Sequence, residues 1–244
     1  MSPLELIPFL DLTTLGSTDT PKEVKALATR ALHPLEHQPQ LHCAALCIWP
    51  TFAPIAAPLL REHPVALACV ASAFPHGQAP LAVKTTEIQA AVAAGADEID
   101  IVINRGQLLS GDLETLRTEL LAMRQASGKA HLKTILETCE LADETLIRTG
   151  CRLALECGTD FLKTSTGKGF HGATLEHTRI LLEEARNWHA LHGKLIGVKP
   201  AGGIRTWLEA QSYLELAKEL LPEFGPHTFR IGASSLLDDL IAQA

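Results

Sequence analysis

From Ile7 onward the chain alternates short apolar runs with longer segments in which apolar positions recur every three or four residues. The short runs, rich in Ile, Leu, Val, Ala and Cys, suit strands buried on both faces, and the longer segments suit amphipathic helices laid against them. Ile7 to Leu12 reads as the first strand, ending in polar Thr13 and Thr14. Thr20-Pro21-Lys22-Glu23 opens the first helix with a capping residue followed by proline, and the helix runs to about His33. Further strands are expected at 42–48, 65–71, 98–103, 131–136, 159–163, 195–199 and 228–232. Helices are expected at 55–62, 81–94, 113–125, 143–156, 175–192, 206–220 and 234–242.

Eight strand–helix units follow one another without a Ser/Pro-rich linker, a charge block or a low-complexity segment. Such alternation implies a parallel sheet with right-handed crossovers. Eight units in 244 residues match a closed (β/α)8 TIM barrel of the α/β class, one domain spanning residues 1–244. The alternative, an open doubly wound sheet, lacks its usual Gly-x-Gly-x-x-Gly after the first strand.

Charge narrows the partners. The net charge of −7 leaves no basic field to hold nucleic acid or an anionic membrane, so an anionic ligand needs a local site. Two uncharged runs, 43–60 and 65–83, carry Pro50, Pro54 and Pro58 in one and Pro75, Gly77 and Pro80 in the other. Neither suits a spanning helix, and a soluble protein is expected. Cys43, Cys47, Cys69, Cys139, Cys151 and Cys157 form no Cys-x-x-Cys pair, which fits the reduced thiols of a cytoplasmic protein. The opening Met1-Ser2-Pro3-Leu4-Glu5 lacks the basic start of a secretory signal.

The unusual residues are lysines at strand ends. Alternation places Phe161, Lys163 and Ser165 on one face of the sixth strand, and Lys199 beside Gly197 on one face of the seventh. In the fourth strand Ile99, Ile101 and Ile103 suit the helix side, which turns Asp100 inward; Lys133 and Asp11 fall inward likewise. A single lysine so placed is most simply a snorkelling or ion-paired one. Lys163, Lys199 and Asp100 together point instead to a site, because burying that much charge is costly. Crowding and burial lower a lysine's proton affinity, and about three units below its ordinary value near 10.4 would give a neutral amine able to attack a carbonyl. Gly202-Gly203 and Gly232-Ala233-Ser234-Ser235 follow the seventh and eighth strands, where such barrels usually hold phosphate, and Lys168 could add charge. Ordinary turn chemistry, with Ser234 as a helix cap, is the simpler account of each loop alone. His189 and His192 read as a solvated helix face, His76 as loop polarity, and Cys47, Trp49 and Trp188 as packing.

Leu10-Asp11-Leu12-Thr13, Glu98-Ile99-Asp100, Leu132-Lys133-Thr134-Ile135-Leu136-Glu137-Thr138, Lys163-Thr164-Ser165-Thr166-Gly167, Gly197-Val198-Lys199-Pro200-Ala201-Gly202-Gly203 and Gly232-Ala233-Ser234-Ser235 together resemble the deoxyribose-phosphate aldolase family. The resemblance implies a class I aldolase without metal or cofactor. Its reaction interconverts 2-deoxy-D-ribose 5-phosphate with acetaldehyde and D-glyceraldehyde 3-phosphate, in deoxyribonucleoside catabolism. It implies that Lys163 forms the Schiff base, Lys199 depresses its pKa, and Asp100 shuttles protons. Asp11, Thr13, Thr166 and Lys168 would contact the sugar, with Cys47 and Lys133 also at the substrate. Gly167, Gly202, Gly203, Gly232, Ser234 and Ser235 would cradle phosphate. Phosphorylated sugar and short aldehydes are then the partners of a homo-oligomer, dimer or tetramer. Ala73 stands where some members carry Asn, and no terminal tyrosine follows Ala244, so water or Asp100 would take over that proton step. Two other readings are an imine-free isomerase or decarboxylase and a noncatalytic sugar-phosphate sensor.

Overall fold

The computed structural model describes residues 1–141 and 143–244. Eight strands, β1 (Leu10–Thr13), β2 (Ala45–Ile48), β3 (Ala66–Ala71), β4 (Glu98–Val102), β5 (His131–Ile135), β6 (Phe161–Lys163), β7 (Gly197–Lys199) and β8 (Ile231–Ala233), run parallel in the order β7-β6-β5-β4-β3-β2-β1-β8. Two parallel bridges, Val198 with Phe229 and Ala201 with Gly232, join the ends of this row and nearly close it into a barrel. The helices are α1 (Pro3–Leu6), α2 (Pro21–Leu32), α3 (Ala53–Leu60), α4 (Leu81–Ala93), α5 (Arg105–Ser110), α6 (Leu113–Ser127), α7 (Glu144–Glu156), α8 (Leu175–His192), α9 (Trp207–Leu220) and α10 (Leu236–Ala242). The expected (β/α)8 architecture is therefore the observed one. None of the described helices is long and apolar enough to cross a membrane.

Strand alternation sorts the side chains into two environments. Leu12, Leu46, Ile48, Leu67, Cys69, Ile99, Ile101, Leu132, Leu162, Val198 and Ile231 face outward and join the helices in the main apolar core. The interior splits into two sectors. On the side of β2 and β3, Ala45, Cys47, Ala68 and Val70 form a small apolar cluster with Leu15, against which Trp49 and Phe74 pack. β1, β4, β5, β6 and β7 turn charge inward, joined by Arg230 just before β8.

Local chemistry explains the departures from expectation. Ile7 to Phe9 is a 3-10 turn after α1 rather than the start of β1, because Pro3 and Pro8 suit the first positions of helical turns. Phe9 stacks on Phe224 at 5.0 Å, so this segment packs its apolar side chains near the N-terminal end of the barrel. Helix α5 was not expected: it is a single short stretch between Asn104, whose side chain accepts from Gln107 N at 3.4 Å, and Gly111. β8 begins at Ile231 rather than Thr228. The last helix is capped at Ser235, not Ser234, and without a side-chain cap bond.

Beyond β3 the backbone carries two consecutive non-glycine residues with positive φ, Ser72 at 63° and Ala73 at 57°. Ser72 is anchored by its hydroxyl, which accepts from Val102 N at 2.7 Å and donates to Val102 O at 3.0 Å. The Ala73 amide donates to Glu87 Oε2 at 2.8 Å, but its methyl has nothing to offset the left-handed conformation. Asparagine tolerates that conformation better than alanine. Ala73→Asn is therefore expected to stabilise the fold by about 0.5–1 kcal/mol, read as a rise in the guanidinium midpoint at unchanged slope.

Candidate active site

The chemistry gathers at the C-terminal half of the charged sector. Register pairs Asp100 of β4 with Lys133 of β5, and places Lys163 of β6 opposite Lys199 of β7 one layer higher. The Asp100 carboxylate consequently meets three lysines. Its Oδ2 lies 2.6 Å from Lys163 Nζ and 2.8 Å from Lys199 Nζ, and its Oδ1 lies 2.9 Å from Lys133 Nζ. Asp11, inside β1, receives Lys199 at 2.5 Å, Lys133 at 3.0 Å and the Arg230 guanidinium at 2.8 Å. Beneath them Glu98 binds Lys133 at 2.5 Å and approaches Arg230 at 3.5 Å.

Four cations thus share three carboxylates, and the lysines are not equivalent. Lys133 touches Asp11, Glu98 and Asp100; Lys199 touches Asp11 and Asp100; Lys163 touches Asp100 alone. Burial lowers the proton affinity of all three, but neighbouring carboxylates oppose it in proportion to their number. Burial prevails at Lys163, helped by the Lys199 ammonium and resisted by Asp100, so its pKa falls below the ordinary lysine value. At Lys199 the carboxylates of Asp100 and Asp11 outweigh burial and raise the pKa, and at Lys133, with Glu98 as well, they raise it strongly. Burial pushes the Asp100 carboxyl upward, yet the three lysines hold it well below the usual carboxylate range.

A cavity of about 350 Å³ opens above this cluster. Lys163 is the one member of the cluster on its wall; Lys199, Lys133, Asp100 and Asp11 lie off it, each fully buried. Of the residues expected at a ligand, Thr13, Thr166, Gly167, Lys168, Gly202, Gly203, Gly232, Ser234 and Ser235 line the cavity with Lys163. Cys47 does not: it sits fully buried in the apolar sector, where burial pushes its thiol pKa up. Lys133 is likewise cut off, held among its three carboxylates.

The loops that shape the cavity depend on close backbone approach. Gly202, at φ +83°, packs so tightly that a Cβ there would lie 3.0 Å from Gly172 Cα and 3.1 Å from Gly167 Cα. At Gly232 a Cβ would lie 3.0 Å from Lys199 Cε, so the missing side chain makes room for that lysine. Three contributors escaped the sequence reading. Arg205, exposed at the cavity, follows Gly202-Gly203 closely enough to have been suspected. Arg230 shares a strand face with Gly232, and same-face logic could have found it. Glu137, buried beside the cavity loop, gave no signal beyond its place in a motif.

A family model described as DeoC/LacD family aldolase matches residues 6–241. The chain belongs to this aldolase family. A Caenorhabditis elegans relative is 44% identical over 97% of this chain and 80% of its own length. Human deoxyribose-phosphate aldolase is 39% identical over 98% of this chain and 80% of its own. Among solved structures, a tetrameric deoxyribose phosphate aldolase from Aeropyrum pernix superposes with a TM-score of 0.79 at 27% identity, covering 99% of this chain and 92% of that one. The aldolase is accordingly an enzyme, a carbon–carbon lyase, on a TIM barrel.

The charge cluster also sets how the aldolase responds to pH. Asp100 and Asp11 have folded pKa values below their ordinary 3.8, so their contribution to stability is present above that value and lost as pH falls. Lys133 and Lys199 lie above 10.5 when folded, so their contribution is intact below 10.5 and lost as pH rises through the raised values. The melting temperature is expected to fall on both sides of a broad neutral range. Asp11→Asn should reduce the acid-side loss in a thermal melt followed against pH.

Proposed function

We propose that this aldolase cleaves and re-forms 2-deoxy-D-ribose 5-phosphate, giving D-glyceraldehyde 3-phosphate and acetaldehyde through a Schiff base on Lys163. One observation carries the proposal: the lysine of the charge cluster with the fewest carboxylate partners is also the one that opens on the cavity. The printed names of the human and Aeropyrum pernix relatives support the substrate.

The neutral Lys163 amine attacks C1 of the open-chain sugar, and loss of water gives an iminium. Removal of the proton on the 3-hydroxyl then breaks the C2–C3 bond. The bonding pair moves into an enamine on Lys163, and C3 leaves as the aldehyde of glyceraldehyde 3-phosphate. Protonation of the enamine at C2 and addition of water release acetaldehyde and restore the amine. Asp100 takes and returns these protons through water, a role supported by its hydrogen bonds from both Lys163 and Lys199. Asp11 and Lys133 act from below by fixing Asp100 and Lys199. Thr13, Thr166 and Lys168 face the sugar, and Gly167, Gly202, Gly203, Gly232, Ser234 and Ser235 receive the phosphate through backbone amides and hydroxyls. The reaction needs no metal or cofactor. Six unpaired thiols and the tetrameric relative support a cytoplasmic homo-oligomer, whose mass light scattering would measure.

Acetaldehyde followed by borohydride is expected to leave an ethyl group on Lys163, detected by peptide mass, and Lys163→Arg should lower turnover by at least about a thousandfold. An unlabelled Lys163 in active enzyme, or activity lost to a chelator, would refute the mechanism. Lys199→Met removes an ammonium that lowers the proton affinity of Lys163 and frees Asp100 to raise it. The acid limb of the kcat/KM profile is therefore expected to move to higher pH, and an unmoved limb would separate Lys199 from that role.

A further inference from the structure

Glu137 follows β5 and lies beside the cavity without lining it. Its residue is 1% exposed, and its backbone is left-handed at φ 53°, ψ 60°. Both features are costly for a carboxylate on a non-glycine residue. Its hydrogen-bond partners are all neutral: Oε2 accepts from Thr166 N at 3.1 Å and, very closely, from Thr166 Oγ1, while Oε1 receives the Cys139 thiol at 3.6 Å. The main contacts of this buried charge therefore run to the loop after β6.

That loop is the cavity wall. The Thr166 hydroxyl donates to Glu137 and in turn accepts from Lys168 N at 3.0 Å, so one carboxylate ties the loop from Thr166 to Lys168. Gly169 rides directly over it, where a Cβ would come within 3.1 Å of Glu137 Oε1. The far end of the loop is tied separately, by Ala173 N donating to the carbonyls of Ala201 and Gly202 at 3.0 Å each. Thr166, Gly167 and Lys168 hang between these two anchors and face the cavity.

We propose that Glu137 is a positioning residue that holds Thr166 and Lys168 toward the sugar and Gly167 toward the phosphate of the substrate. The substrate assignment rests on the preceding section; the anchoring of the loop does not. Glutamine keeps an oxygen where Thr166 donates and alanine does not, so the two variants separate the bond from the fold. Glu137→Gln is expected to stay within about threefold of wild type in KM. Glu137→Ala should raise KM for 2-deoxyribose 5-phosphate by about tenfold or more, the loss of one charge-assisted anchor, with kcat little changed. Its kcat/KM for unphosphorylated 2-deoxyribose should fall by less, because Gly167 has no phosphate to receive there, and hydrogen–deuterium exchange should accelerate over 166–169 alone. An equal loss on both sugars, an unchanged KM, or unaltered exchange over 166–169 in Glu137→Ala overturns the proposal. Should the wild type cleave neither sugar, the substrate assignment fails, and the exchange measurement alone then decides the role of Glu137.

Discussion

A single carboxylate shared by three buried ammonium positions is the constraint on which this molecule turns. Asp100 cannot satisfy Lys133, Lys163 and Lys199 alike, and the other carboxylates within reach, Asp11 and Glu98, favour the deeper two. With four cations against three anions in a nearly dry interior, one proton is held weakly. Geometry assigns the weakness to Lys163, whose other surroundings are the cavity.

The barrel supports this arrangement by dividing its interior. Ala45, Cys47, Ala68 and Val70 present no charged group and only one weakly polar thiol, so the ionic groups are driven together on the side of β4 to β8 and β1. The same low polarity strengthens each ion pair across the interior. Arg230, bonded to Asp11 and close to Glu98, closes the underside of the cluster and leaves the upper face as its way out. Hydrophobic replacement of a buried ion cluster is often neutral or stabilising, so stability alone does not account for this one.

Much of this was legible from residue order. Period-two alternation in β4, β6 and β7 turned Asp100, Lys163 and Lys199 inward, and the glycine loops after β7 and β8 marked the rim where the cavity lies. The misses were short-range matters. Ile7 to Phe9 is apolar enough for a strand, but two prolines favour helical turns there. Helix α5 is too brief to show a period, and Ser235 rather than Ser234 heads α10 because the chain turns one residue later. By alternation alone Lys133 and Lys163 looked alike, each a lysine on an inward strand face, and only the motif resemblance separated them.

Residue order by itself determined the number of units, the parallel barrel and which side chains point inside, because these follow from periodicities within a few neighbouring residues. Alternation alone could not rank the lysines, although the motif resemblance singled out Lys163. That ranking depends on how many carboxylates surround each nitrogen, and those partners come from distant segments: Asp11 meets Arg230 only when the first and last strands pair. Closure of the barrel decided that Lys133 is walled in and Lys163 faces the open cavity, since proton affinity in a buried site is set by three-dimensional neighbours rather than by sequence neighbours.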